Sequence, residues 1–435
     1  MSVTDRSDRD VDPIAGSAGV DPIAGSAGGL ARRLGHRGRQ LTALACAGLF
    51  FFGPTVAHGL GIHAARFENR ALATFGDPRE GWAWVTGLPA WAADNLPFRD
   101  RAVRVTEALS RGVFDEPAAL PIPLNAQLPG PAAILAPAPR PPLAAFPSVI
   151  EGRDGWLYLG ADVSGACVPS RSLTDTMISL RRLRAAVESS GRRFVLVVAP
   201  DKTTMVPEHL PVDYLGRECA ARARAEFWRR VVTEAGAIDL RPALADIARR
   251  KGAPVYYPAD THWSQEGGVA LTYALGELVH PGITRTWQVA PAGSILWPDD
   301  ISPLLGRAGV HSISTYSLAP SGHADRARSI TSDFRVPLRL VSVPVLGAVN
   351  RPVRMIGDSF TQFASRYLAA TFTDLTIVHP ETVSAAPRAA GALLAGGKVV
   401  VLEVAERNLL SGTSPILLQP VITEIAHQLA AHPAH

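Results

Sequence analysis

Four short, mostly apolar runs constrain this chain more than any other feature: Phe194 to Ala199, Val353 to Ile356, Leu375 to Val378 and Val399 to Val404. A strand with one wet face alternates apolar and polar residues, whereas a strand covered on both faces reads as a continuous apolar run. Helical patterns lie between the runs. Leu173, Met177, Leu180, Leu183 and Val187 repeat at helical spacing and stop at Gly191. Ala220 to Ala235 ends at Gly236, and Gln265 to Val279 follows a further short strand, Val255 to Tyr257. The reading is an α/β domain over residues 151–435, a parallel sheet flanked by helices. Residues 281 to about 350 break the rhythm and read as an insertion of loops and short β segments.

Two segments of this domain carry chemistry. Asp260-Thr261-His262-Trp263 follows the strand at Val255, and Gly357-Asp358-Ser359-Phe360 follows the strand at Val353 and precedes a helix over Thr361 to Thr371. Both sit at the carboxyl end of a strand, where α/β proteins bind ligands. A serine hydroxyl is a poor nucleophile until an imidazole takes its proton and a carboxylate fixes the imidazole tautomer. Ser359 is therefore the candidate nucleophile, His262 the general base and acid, and Asp260 the group that orients His262. A strand-to-helix turn at Ser359 also leaves backbone N–H groups of the helix N-terminus facing an oxyanion.

Other readings of these residues are weaker. A metal site lacks a His-x-x-x-His pair or a cysteine pair at zinc spacing, so no metal or other cofactor is called for. The Gly-x-Ser-x-Gly elbow of α/β-hydrolases is absent. Subtilisin-like proteases also run Asp, His, Ser, but not with the first two only two residues apart. His209 and His379 lie near strand ends, and His379, with Glu381 two residues on, is a second choice of base.

The two segments together resemble the alginate O-acetyltransferase group, AlgX/AlgJ-like, of the SGNH-hydrolase superfamily. Its members place Asp-x-His-Trp upstream of Gly-Asp-Ser-Phe, the reverse of ordinary SGNH esterases. Further matching pieces are Glu68-Asn69-Arg70, Asp94 to Arg99, Gly152 to Gly160, Val198 to Lys202, Pro207 to Pro211, and Val399 to Leu402 followed by Glu403 and Glu406-Arg407-Asn408. The resemblance implies an SGNH-hydrolase-like fold and a triad of Asp260, His262 and Ser359. It also implies O-acetylation of a cell-surface or secreted polysaccharide through an acyl-enzyme, with acyl groups supplied by a membrane-bound O-acyltransferase. The same triad in a carbohydrate acetylesterase, or a non-catalytic polysaccharide-binding or assembly protein, are the alternatives. The Gly and Asn blocks that complete the oxyanion site of ordinary SGNH enzymes are not identifiable, which leaves the Ser359 N–H as the one donor named.

The rest of the chain reads as a membrane tether. Arg32, Arg33, Arg37 and Arg39 precede a largely apolar stretch, residues 41–62, interrupted mainly by Pro54 and His58. A bilayer core needs about 20 such residues, and flanking positive charge predicts a cytoplasmic N-terminus with everything after Ile62 outside. A cleaved signal peptide is the competing expectation, with Thr55-Val56-Ala57 an imperfect cleavage site. Residues 1–40 read as a disordered tail containing a duplicated nonapeptide, Val11 to Gly19 and Val20 to Gly28, too few copies for a solenoid. Residues 63–115 read as a helical neck with Trp82, Trp84 and Trp91, and residues 116–150 as a Pro/Ala-rich semi-rigid linker. The net charge of +4 is too small and scattered to argue for nucleic acid.

Cys46 falls in the apolar stretch, which leaves Cys167 and Cys219 as an even pair in an oxidising compartment, a candidate disulfide against the alternative of two buried thiols. Lys202, Arg407 and Trp263 are candidate substrate-binding side chains, each weighed against a purely structural role. Asp358 reads as pinning the turn before Ser359.

Overall fold

The computed structural model describes residues 75–95, 97, 99–114 and 143–434, with scattered positions (42, 44, 53 and 56–62) before them. The tail at 1–40, most of the apolar stretch at 41–62 and most of the linker at 116–150 lie outside the described residues. No helix among the described residues is long and apolar enough to cross a membrane. The chain divides into two compact units, residues 1–63 and 64–435.

In the second unit the strands are β1 (Val149–Glu151), β2 (Leu157–Leu159), β3 (Arg193–Ala199), β4 (Ile238–Asp239), β5 (Gln288–Pro298), β6 (Val310–Ala319), β7 (Leu338–Val341), β8 (Val353–Ile356), β9 (Asp374–Val378) and β10 (Val399–Ala405). Six of them form one sheet in the order β4-β3-β10-β8-β9-β7. The first five are parallel, with β3 and β10 in register from Arg193 opposite Val399 to Ala199 opposite Ala405. The central strands β8 and β10 are buried at every position, which accounts for their continuous apolar sequence.

Two expectations need correction. The sheet is mixed, because β7, contributed by the insertion, runs antiparallel to β9 at the edge. Val255 to Tyr257 is not a strand of the sheet; Tyr256 forms a single antiparallel bridge to Trp263, because the chain turns back on itself there to present the Asp260 loop. The insertion also holds longer β structure than expected, the hairpin of β5 and β6, paired from Gln288–Ala319 to Pro298–Val310.

The helices pack on the sheet in two groups. Leu173–Ser189, Pro387–Ala395 and Gln419–Ala431 form one, and Gln265–Val279 and Ser359–Thr371 form the other. The second pair approaches closely because of Gly268, where an added Cβ would lie 2.2 Å from the Phe363 carbonyl oxygen. Before the sheet domain, helices Trp82–Asn95 and Arg99–Phe114 make up the described part of the neck. Trp84 and Trp91 pack edge-on against Phe75, while Trp82 is exposed. The second neck helix is tied to the domain by a shared ion cluster of Glu107 and Glu151 with Arg111 and Arg307.

Candidate active site

The carboxyl ends of β3, β8, β9 and β10 all deliver loops to one edge of the sheet. From β8 the chain passes through Gly357 and Asp358 straight into helix Ser359–Thr371. Gly357 is required by close approach, since a Cβ there would lie 2.3 Å from Thr361 Oγ1. Asp358 caps the helix. Its Oδ1 accepts from the Phe360 N–H at 3.0 Å and its Oδ2 from the Ala405 N–H at 2.8 Å, so it pins the turn to the end of β10 as expected. Glu403, fully buried, accepts from the Asp358 N–H at 3.2 Å and from Thr361 Oγ1 at 2.6 Å. Burial and the neighbouring Asp358 charge push its carboxyl well above the ordinary range. The result is a rigid elbow that leaves Ser359 partly exposed among buried neighbours.

The second loop brings Asp260 and His262 to that elbow. His262 Nε2 lies 2.7 Å from Ser359 Oγ, and Nδ1 lies 2.8 Å from Asp260 Oδ1. Asp260 Oδ1 also accepts the His262 backbone N–H at 2.8 Å, so one oxygen sets both ends of the residue. Phe360 and Phe363 enclose the imidazole, with ring centroids 5.0 and 5.2 Å away. Burial lowers the affinity of His262 for a proton, but the charge and hydrogen bond of Asp260, then those of Asp300, outweigh it and raise its pKa to about 10.

Asp300 was not singled out from the sequence. It lies in the loop between β5 and β6, and its Oδ2 is 3.3 Å from His262 Nδ1. The same carboxylate accepts Thr261 Oγ1 at 2.5 Å and the Thr261 N–H at 2.8 Å. The sequence signal is an Asp-Asp pair between the segments of His262 and Ser359, with no spacing rule to link it to His262.

Of the candidate substrate-binding side chains, Lys202 and Trp263 are buried, the structural role weighed for each. Lys202 donates from Nζ to the carbonyls of Tyr257 (3.0 Å), Pro258 (2.9 Å) and Asp260 (2.7 Å), so it clamps the loop that carries the dyad. Burial lowers its pKa to about 8. Trp263 has no exposed surface; its Nε1 donates to the Phe360 carbonyl at 3.1 Å and joins the segment of His262 to that of Ser359 from beneath. Arg407 donates to Asp201 at 2.8 Å and lies over the Phe360 ring at 5.2 Å. His379 caps the helix Pro380–Ala385 by accepting the Glu381 N–H, and His209 stacks on Trp156, whereas it is His262 that meets Ser359 Oγ. Cys167 and Cys219 are joined as a disulfide.

Among the described residues, Asp260, His262 and Asp300 bring donor atoms within 4.8 Å of one another, a spacing a metal ion can use. Three of their carboxylate oxygens already accept N–H or O–H donors from His262 and Thr261, which suits them to holding the imidazole proton.

Residues 149–295 match the family described as SGNH hydrolase-like domain, acetyltransferase AlgX, a stretch that includes Asp260 and His262 and ends before Asp300 and Ser359. A "Probable alginate O-acetylase AlgJ" from Pseudomonas syringae pv. tomato is 29% identical over 138 residues, covering 31% of this chain and 34% of that protein. One of the same description from Pseudomonas aeruginosa is 31% identical over 134 residues, covering 30% and 32%. The chain thus matches about a third of the length of these curated relatives. The O-acetyltransferase domain of Pseudomonas putida AlgJ aligns with 64% of this chain and 99% of its own, at 17% identity and a TM-score of 0.44. By the family match, residues 149–295 are similar to the SGNH hydrolase-like domain, acetyltransferase AlgX.

Proposed function

We propose that this protein is an O-acetyltransferase that acylates hydroxyl groups of a cell-surface or secreted polysaccharide through an acyl-enzyme on Ser359. The observation that carries the reading is the unbroken series Ser359 Oγ, His262 Nε2, His262 Nδ1 and Asp260 Oδ1, at 2.7 and 2.8 Å across the two gaps. His262 takes the hydroxyl proton as Ser359 Oγ bonds to the donor's acyl carbon. The Ser359 N–H, at the first turn of its helix, stabilises the oxyanion. The carbon–leaving-group bond then breaks and the leaving group receives the proton from His262. In the second half a sugar hydroxyl gives its proton to His262 and bonds to the acyl carbon, the bond from that carbon to Ser359 Oγ breaks, and His262 returns the proton to Oγ. These steps call on the chain's own residues.

In this reading residues 41–62 hold the chain in the cell membrane with the domain outside the cytoplasm. Acetyl-CoA is cytoplasmic, so the acyl donor reaches Ser359 by way of a membrane-bound O-acyltransferase partner. The test is incubation of the full chain with a chromogenic acetyl ester and oligosaccharide acceptors, with mass spectrometry of both protein and sugar. Transfer to sugar that vanishes in Ser359→Ala supports the reading. Release to water alone, unaffected by any acceptor, replaces it with an acetylesterase.

A further inference from the structure

The proposed triad leaves one charged contact to its histidine without a role, and that contact comes from the insertion. Asp300 lies two residues after the end of β5, and two further features hold it in place. Ile301, next in sequence, is fully buried with Leu305 against Val149 and Leu157, and its N–H donates to the Ala259 carbonyl at 3.1 Å. Thr261 binds both oxygens of the Asp300 carboxylate. The loop is thus packed from below and bonded to the residues either side of Asp260, a built position for a carboxylate.

We propose that Asp300 is a second positioning residue for His262, sharing the Nδ1 proton with Asp260 and stabilising the imidazolium that forms when Ser359 loses its proton. The idea rests on the acyl-enzyme reading above for its catalytic meaning, but its electrostatic content stands on the geometry alone. Burial works against a charge on Asp300, and the hydrogen bonds from His262 and Thr261 overcome this and hold it below the ordinary carboxylate range. The charged groups around His262 come from four elements. Asp260 lies on its own loop, Asp300 and Asp299 on the hairpin loop, Lys202 after β3, and His311 on β6 with Nε2 3.8 Å from Asp260 Oδ2 and Nδ1 2.9 Å from Asp299 Oδ1. Asp300 is the member of this set, besides Asp260, within reach of Nδ1.

The sign follows from the charge. A carboxylate beside Nδ1 favours the protonated ring, which cannot accept the Ser359 proton, so activity falls as pH falls through the His262 pKa. Removing that carboxylate must move the acid limb of kcat/KM to lower pH and lower the plateau.

The experiment compares the full chain with Asp300→Asn in two readouts. The first is the pH profile of Ser359-dependent ester turnover. The second is direct titration of His262 by NMR of Cε1-labelled histidine, assigned with His262→Asn, which needs no activity. The expected result is a shift of the limb and of the NMR midpoint by about one pH unit or more, a tenfold change in proton affinity, with the plateau reduced about tenfold. A plateau loss with neither midpoint moved overturns the proposal and leaves Asp300 a structural residue. An NMR shift without any ester turnover in the unmodified chain upholds the electrostatic role and points the failure at the acyl-enzyme reading. Asp300→Glu, which keeps the charge, is the control for folding; an NMR midpoint returned toward the unmodified value supports the proposal, and one matching Asp300→Asn in a folded protein counts against it.

Discussion

The turn that holds Ser359 and the hairpin loop that holds Asp300 reach the same imidazole in opposite ways. The first is local. Gly357, the Asp358 cap and the N-terminus of helix Ser359–Thr371 place the hydroxyl within a few residues of β8, braced by Glu403 and Ala405 on the adjacent strand. The second is long-range. Asp300 is placed by Ile301 packing on Val149 and Leu157, far away in sequence, and by bonds to Thr261 and Ala259. A hydroxyl that must attack needs a rigid local mount, whereas a carboxylate that acts through another residue can be delivered by tertiary packing. Substitutions at the two places should therefore differ in kind as well as in size.

The largest effect belongs to the elbow. Ser359→Ala should lower turnover by about four orders of magnitude or more with the fold intact, since members of a triad act as a unit. Residual turnover within tenfold of the unmodified protein, in matched assays, would break the local half of the comparison. Asp260→Asn should cost about 10³–10⁴ in kcat through the wrong tautomer of His262, clearly more than the roughly tenfold loss at Asp300 that fits a longer contact. Equal losses at the two carboxylates would erase the distinction between them.

Stability changes come next. Lys202→Met leaves three loop carbonyls without their shared donor and should destabilise the protein by about 2–4 kcal/mol in chemical denaturation. Ile301→Ala should cost about 2–4 kcal/mol through the cavity it opens, and should also move the acid limb part of the way seen in Asp300→Asn. A stability loss with no movement of that limb would show that Asp300 holds its place without the hairpin packing.

The same contrast decides what could be read from the residues. Strands β3, β8, β9 and β10 are buried on both faces, so their apolar runs announce them, and the two short motifs are compact enough to recognise. Val255 to Tyr257 imitates a strand because its apolar side chains are buried by the turn before Asp260, with one bridge from Tyr256. Strand β5 is exposed along most of its length and interrupted by Pro291 and Gly293, so it carries neither alternation nor a continuous run. Lys202 and Trp263 were placed at the site by position alone. Their burial depends on Tyr257, Pro258 and Phe360 folding over them, which no local pattern reports. Asp300 is the extreme case, a contact made between hairpin and loop that exists only once the sheet is assembled.

The most direct test of the central claim is intact-protein mass spectrometry of the full chain after brief exposure to an activated acetyl donor, followed by addition of an oligosaccharide acceptor. The account predicts a single added acetyl group that maps to Ser359, is absent in Ser359→Ala, and disappears as acetylated sugar accumulates. An acetyl group that forms equally in Ser359→Ala, or acetylated sugar produced without Ser359, would contradict it.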